Sequence, residues 1–250
     1  MAPDLVTETS RELRVLIIRQ CHRLASQPFT SKTLVILALG LRATRLNEAL
    51  FMLGRSGLPD EATALSRILI EVVINGAYLM VTGAKEFDAF IAHPIVLMGK
   101  HHLAYISSSE NQNSFTEEFN ELLATSAEEA VRHSGRTSKD SSWTSESVSK
   151  RAIAADAVFK HGLFCDLAIT SYVDGHDFIH GNFPSLLDII AALRGETLPT
   201  IEVQTVPDTM LYGATTSLLA YALSLNQHFK LDIDGELRRI ASSFATNGAV

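Results

Sequence analysis

Polar side chains that could bind an anion and shift the pKa of a neighbouring group occur at helical spacing within an otherwise apolar stretch, residues 62–83. At 100° per residue they fall on one stripe of a helix, which comprises Arg67, Glu71, Ile74 and Tyr78, with Asn75 at its edge. Nearly every other direction around this helix carries an apolar side chain, which is typical of an interior helix. The polar stripe must therefore find partners inside the protein, and the i, i+4 pair of Arg67 and Glu71 is the first candidate site.

A second polar stripe lies further along the chain, in a stretch from residue 163 that reads as a helix ending at Gly181. Its face comprises Cys165, Ile169, Tyr172, His176 and Ile179, with His180 one step around the helix. Tyr172, His176 and His180 are natural partners for the arginine and glutamate of the first stripe. Two interpretations remain open. The residues form either a buried polar network that fixes helix register, or a small pocket in which Arg67 holds an anion, His180 or His176 moves protons, and Glu71 and burial set their pKa values.

Two histidines four residues apart on one helix could also bind a divalent metal, and the sequence HDFIH at 176–180 has that spacing. The likeness to the zinc-protease helix H-E-x-x-H goes no further, because Asp177 is too short to replace the glutamate base and no third ligand is apparent. The chain carries no glycine-rich nucleotide-binding motif, nucleophile elbow or C-x-x-C pair. We therefore expect neither a metal nor a cofactor.

The polar residues also carry a resemblance to a known family. The first motif is R-x-x-x-E-x-x-x-N-x-x-Y-L, and the matching positions in the two motifs are Arg67, Glu71, Asn75, Tyr78 and Leu79, then Tyr172, His180 and Gly181. The pattern resembles a bacterial and archaeal helical family that is known only as a domain of unknown function, over about residues 60–185. The resemblance implies an all-α fold and no known substrate, and some relatives look like partners in anti-phage or toxin systems. His176 stands where the family often has a small hydroxyl residue, which makes the site more basic here.

Helical HEPN-type ribonucleases offer a second, more distant analogy, because they use an R-x4-6-H motif at a dimer cleft. No arginine precedes His180 at that spacing in this chain. Whether the chain is an enzyme stays open between two hypotheses. The first is a non-enzymatic interaction or ligand-sensing module. The alternative is an RNA-cleaving or other hydrolytic effector, with His180 and His176 as acid and base around a phosphate bound by Arg67.

The elements that must position these residues are helices, since helical periodicity runs through the sequence with almost no alternating strand pattern. This predicts an all-α, multi-helix bundle of about nine or ten helices without a significant sheet, as a single domain over residues 1–250. Residues 1–57 are expected to form a basic helical pair that packs on the core, and residues 132–147 a flexible loop. Trp143 is expected to anchor that loop, and the fourth helix to bend or break near Pro94.

Charge and composition limit the partners. The net charge is −7, yet the segment Arg11–Arg55 carries eight basic residues against Glu12 and Glu48. We expect these basic side chains to cover outer helix faces, and nucleic-acid binding through this segment is not favoured. No run of 18 apolar residues and no secretory signal is present, and Cys21 and Cys165 lack metal or redox spacing, so we expect a cytoplasmic protein without a membrane span.

The apolar residues also suggest a protein partner. The stretches Leu34–Leu41 and Leu211–Leu225 offer more apolar surface than one small bundle readily covers. A homo-oligomer or a protein partner is therefore expected.

Overall fold

The computed structural model describes residues 3–108, 117–135, 142–174 and 208–245, and every regular element in these ranges is an α-helix. These helices are α1 (Pro3–Ala25), α2 (Ser31–Arg55), α3 (Pro59–Val81), α4 (Ala84–Ser108), α5 (Glu117–Ser134), α6 (Val148–Phe159), α7 (Leu163–Asp174), α8 (Asp208–Phe229) and α9 (Asp234–Ala245). The predicted all-α fold is confirmed.

Local chemistry accounts for the ends of the N-terminal helices. Thr30 caps α2, because its hydroxyl oxygen accepts a hydrogen bond from the backbone N–H of Thr33 at 3.1 Å. Gly57 follows α2 with a positive φ of 71°, a conformation that ends helices readily when the residue has no side chain. Pro59 then opens α3, followed by two acidic residues at the positive end of its dipole.

The chain divides into two compact units, of which the first comprises Met1–Val81 and Val148–Val250 and the second comprises Thr82–Ser147. In the first unit α3 is the central helix and packs against α2, α6, α7 and α8. Within the described ranges α3 is also the one helix that is long and apolar enough to cross a membrane, by length and composition alone. More than half of that apolar window is buried inside the protein, as in the core helix of a bundle.

Tyr221 of α8 fixes the contact between α2, α3 and α8. Its side chain is fully buried and its hydroxyl donates a hydrogen bond to the carbonyl oxygen of Ile36 at 2.6 Å. The ring passes between Gly40 and Gly76, and a Cβ atom on Gly76 would lie only 2.6 Å from the ring carbon Cε2. Both glycines are therefore needed for this close approach of the helices.

Ion pairs join α1 to α9 across the outside of the first unit. Arg19 pairs with Glu236, and Arg239 donates to the carboxylate of Glu12 at 2.8 Å. Arg23 donates to the carbonyl oxygen of Leu231 at 3.1 Å. Several basic side chains of α1 thus bind groups of the same chain.

In the second unit α4 packs against α5, and α4 continues through Pro94. The break that the sequence allowed at this residue is therefore wrong. A proline removes one backbone donor, and the flanking residues Ala92 and Val96 are buried against Ala130, which offsets the loss.

The segment that the sequence assigned to a loop, residues 132–147, begins as helix, since α5 extends to Ser134. Residues 142–147 have no regular structure. Trp143 is buried among them, with its ring edge-on to Phe90 of α4 at a centroid distance of 5.0 Å. The tryptophan anchors this segment, as the sequence predicted.

Candidate functional site

The polar stripe of α3 runs from the surface into the interior. The side chain of Glu71 is 40% exposed and that of Arg67 is half-buried. Further along the helix, Asn75 and Tyr78 are buried. The stripe therefore connects solvent, on the side of the carboxylate, to a polar cluster within the first unit.

Tyr172 of α7 meets this stripe. The Arg67 Nη2 atom donates a hydrogen bond to the Tyr172 hydroxyl at 3.0 Å. The guanidinium carbon also lies 4.7 Å from the centroid of the same ring, which adds a cation–π attraction. The two segments that the sequence analysis paired are thus in contact through these two side chains.

Arg151 of α6 is the residue that sequence reasoning missed. Its side chain is only 4% exposed, and its Nη1 atom donates to the side-chain oxygen of Asn75. Its Nη2 atom lies 3.7 Å from the carboxylate of Glu71. The ion pair of Glu71 is therefore made with Arg151, while Arg67, its expected partner, donates to Tyr172. A signal was present, because Arg151 shares a helical face with the apolar residues Val148 and Ala155.

Burial and neighbouring charge act in opposite directions on Arg151. Burial lowers the pKa of its guanidinium, and the carboxylate of Glu71 raises it. The hydroxyls of Tyr172 and Tyr78 also raise the pKa of Arg151, more weakly than Glu71. Arginine stays charged throughout the accessible pH range, so Glu71 serves mainly to compensate a cation in the interior.

The predicted inward face of α7 is only partly correct. Among the α7 side chains that the structure describes, those of Phe164, Leu167 and Ala168 are buried, and Tyr172 follows Ala168 by one turn. Ile169 is 71% exposed, so α7 is rotated relative to the face expected from Cys165, Ile169 and Tyr172. The fully apolar residues decide the rotation, because burying them gains more free energy than burying a mixed face.

Three further sequence expectations concern the rest of the second stripe and the metal. His176 and His180 lie outside the described residues. Cys165 is a half-buried free thiol, and burial raises its pKa to about 11. Within the described part of the chain, no group of three or more histidine, cysteine, aspartate or glutamate side chains could hold a metal ion.

Two guanidinium groups, from α3 and α6, lie around one phenol and one partly exposed carboxylate, and these described side chains sum to a single positive charge. Guanidinium groups present planar sets of donors that match carboxylate and phosphate oxygens.

The fold and the site define an all-α protein with a polar cluster between three core helices. A family of unknown function, DUF5677, matches residues 33–196, about two thirds of the chain, and the chain belongs to this family. The match includes Arg67, Glu71, Arg151 and Tyr172, and the resemblance to an uncharacterised helical family is confirmed. No curated protein and no solved structure matches the chain at a significant level.

Proposed function

We propose that the chain is a ligand-sensing module that binds a small oxyanion, a carboxylate or phosphate group, between Arg67 and Arg151. The observation that carries this proposal is the position of Tyr172. Its hydroxyl accepts a hydrogen bond from Arg67 of α3, and Arg151 of α6 pairs with Glu71, one helical turn along α3 from Arg67. Two cations from different helices thus share one neighbourhood.

Glu71 occupies the position that the ligand would take. Its carboxylate lies 3.7 Å from Arg151 Nη2, well beyond the ~2.8 Å of a charge-assisted hydrogen bond. Because this side chain is 40% exposed, the carboxylate can turn to water at little cost. A ligand oxyanion with shorter contacts to the guanidinium would displace it, and the displacement of Glu71 is the change that a partner could detect.

The competing interpretation is a network that only fixes the register of α3, α6 and α7. Calorimetric titration of the full-length chain with sulfate at constant sodium chloride separates the two. Sulfate should bind at millimolar concentration or tighter, and Glu71→Gln should strengthen binding by up to about fivefold, since at most about 1 kcal/mol of competing interaction is removed. Arg67→Lys should weaken binding by a similar factor, because lysine lacks the planar donor fork.

The matched control is Arg239→Gln, which removes an exposed arginine of the same unit that pairs with Glu12. This variant should bind sulfate as the unaltered chain does. Sulfate also stabilises folded proteins in general, but this effect is common to all variants and cannot produce the expected differences in affinity between them. Absence of saturable binding in both the unaltered chain and Glu71→Gln would leave only the structural role.

The hydrolytic alternative depends on His176 and His180, and the same preparations test it. Cleavage of a labelled RNA oligonucleotide that is lost in His180→Ala, at an unchanged melting temperature, would replace the sensing proposal with an enzymatic one.

A link to a defence or toxin system, a cytoplasmic location and a homo-oligomeric state belong to the proposal as well. The first is supported by the family resemblance only. The apolar residues of α8 between Leu211 and Leu225 are largely buried by the chain itself, whereas Leu34 of α2 is exposed. Sedimentation velocity at micromolar concentration tests the oligomer, and a clean monomer would count against it.

A further inference from the structure

His161 occupies the short connection between α6 and α7 and contacts three helices of the first unit. Its Nδ1 atom lies 3.1 Å from Asp156 Oδ1 of α6 and accepts from the backbone N–H of Leu163, at the start of α7, at 3.3 Å. Its Nε2 atom lies 3.2 Å from the Ser224 hydroxyl of α8. The ring also lines an open cavity of about 510 Å³, through which protons can exchange with solvent.

The hydrogen bonds define which nitrogen carries the proton in the neutral ring. Ser224 donates its one hydroxyl proton to the carbonyl oxygen of Ala220 at 2.9 Å. The Ser224 oxygen therefore accepts from Nε2–H of His161. Nδ1 is then the unprotonated nitrogen, in agreement with its acceptance of the Leu163 N–H.

The order Ser224–His161–Asp156 is also that of a hydrolase triad, but this serine cannot act as a nucleophile. Its side chain is fully buried, and its proton is committed to Ala220. The relevant chemistry of this cluster is therefore the second proton that the His161 ring can take up, on Nδ1.

Nδ1 of His161 has two neighbours with opposite requirements. The Leu163 N–H needs a lone pair on this nitrogen, whereas the carboxylate oxygen of Asp156 needs a proton. Among the described residues, Asp156 Oδ1 is buried and has no hydrogen-bond donor. The other oxygen, Oδ2, accepts from the backbone N–H of Cys165 at 2.7 Å. A proton added to Nδ1 thus gives Asp156 Oδ1 a hydrogen-bond donor. The same proton occupies the lone pair that accepted the hydrogen bond from the Leu163 N–H.

We propose that protonation of His161 is a switch between two hydrogen bonds of Nδ1. In the neutral ring Nδ1 accepts from the first backbone N–H of α7, and in the protonated ring Nδ1–H donates to the carboxylate of Asp156. The protonated state loosens the first turn of α7, and the neutral state holds that turn in place. The same helix carries Tyr172 further along. This switch does not depend on anion binding at Arg67 and Arg151.

The charges around the ring set the pH at which the switch operates. Burial lowers the pKa of His161, and the charge of Asp156 acts in the opposite direction. The net effect lowers the pKa, so the neutral ring is favoured and its protonation is shifted to more acidic pH. Lys160 adjoins His161 in the chain, Asp166 lies on the first turn of α7, and the charged groups Lys230, Asp232 and Asp234 line the same cavity.

Nitrogen-15 NMR of the full-length chain, titrated from about pH 8 to pH 5, tests the proposal. At pH 8, His161 should show the Nε2–H tautomer. As the ring titrates, the amide of Leu163 should shift upfield and its protection factor, which is corrected for the intrinsic exchange rate at each pH, should fall roughly tenfold, as expected when a hydrogen bond worth about 1.4 kcal/mol is lost. The amide of Cys165 should keep its protection, because its acceptor on Asp156 remains, and it serves as the internal reference.

Asp156→Asn should lower the pKa of His161 further, since it removes the charge that favours the protonated ring. His228→Gln, which removes another histidine whose pKa is lowered by burial, should leave the titration of His161 unchanged. An Nδ1–H tautomer at pH 8, or a Leu163 amide that is insensitive to the titration of His161, would overturn the proposal. The unaltered chain alone decides both points if Asp156→Asn fails to fold.

Discussion

Replacing Arg151 should reveal how much of the polar cluster is structural. This arginine is almost fully buried and donates to Asn75, whose side chain is buried too, while its partner Glu71 is partly exposed. Removing the guanidinium therefore strands one buried acceptor and releases one carboxylate to water. The cost should depend on whether the replacement fills the vacated space.

The expected loss can be estimated group by group. An unsatisfied Asn75 oxygen costs about 1–3 kcal/mol, and losing the pair with half-exposed Glu71 costs at most about 1 kcal/mol. In Arg151→Ala, the apolar stem of the arginine is also lost, at ~0.8 kcal/mol per methylene. Relief of the buried charge offsets part of this sum. We expect Arg151→Ala to destabilise the fold by about 2–4 kcal/mol and Arg151→Met by roughly 1–2 kcal/mol, because methionine keeps the volume.

Urea unfolding followed by circular dichroism at neutral pH measures both values. The double variant Arg151→Met with Asn75→Leu should recover part of the loss, since both hydrogen-bonding partners are then apolar. The control Glu71→Gln should change the free energy of unfolding by less than about 1 kcal/mol. The reasoning is refuted if Arg151→Ala unfolds within about 0.5 kcal/mol of the unaltered chain, or if methionine is no better than alanine.

Three further predictions concern the rest of the first unit. Gly76→Ala should lower the free energy of unfolding by about 1–3 kcal/mol, because the added Cβ would clash with the ring of Tyr221. The control Gly235→Ala should not destabilise the fold, because a Cβ there meets nothing within 4 Å. Thermal unfolding compares the two variants. Glu236→Gln should cost less than about 1 kcal/mol, and a urea titration in high salt should show no difference from the unaltered chain, since its ion pair is exposed. Because the pKa of His161 is lowered on folding, its contribution to stability is complete above about pH 6.5 and is lost as the pH falls through its folded pKa. His161→Gln should flatten this part of the pH–stability curve, and an unchanged curve would contradict the sign.

The helix boundaries could be predicted because the residues that set them act locally. Thr30 needs only the N–H of Thr33 to cap a helix, and Gly57 needs only its own backbone freedom. The interior position of α3 could also be predicted, because a helix that is apolar almost all round would expose apolar side chains to water anywhere else. These signals lie within a few residues of the feature that they specify.

The partners within the site could be predicted only in part. Tyr172 was paired with Arg67 because both sit on polar stripes of apolar helices, and the contact is present. Arg151 was missed, since a single arginine in a short helix normally indicates a solvated face. Its burial depends on how α6 docks against α3, and that docking is decided by apolar side chains such as Ala152 and Ala155. Periodicity gives the face of a helix and does not give the residue opposite it.

Helix α7 joins the two proposals and supplies a test of both together. It starts at the His161 switch and carries Tyr172 on its third turn, about 14 Å further along at 1.5 Å per residue. A helix moves as a unit over that length, so loosening its first turn should weaken the contact between Tyr172 and Arg67. We therefore expect sulfate, whose charge is constant in this range, to bind more weakly at about pH 5.5 than at pH 7.5.

The variant His161→Gln separates the possible results of that titration. If the switch controls the site, this variant should bind sulfate equally at both pH values, measured by calorimetry at constant ionic strength. Binding that is independent of pH in the unaltered chain, together with a normal titration of the Leu163 amide, would show that both devices exist and are not coupled. Binding that weakens equally in both proteins would assign the pH effect to another group and contradict transmission through α7.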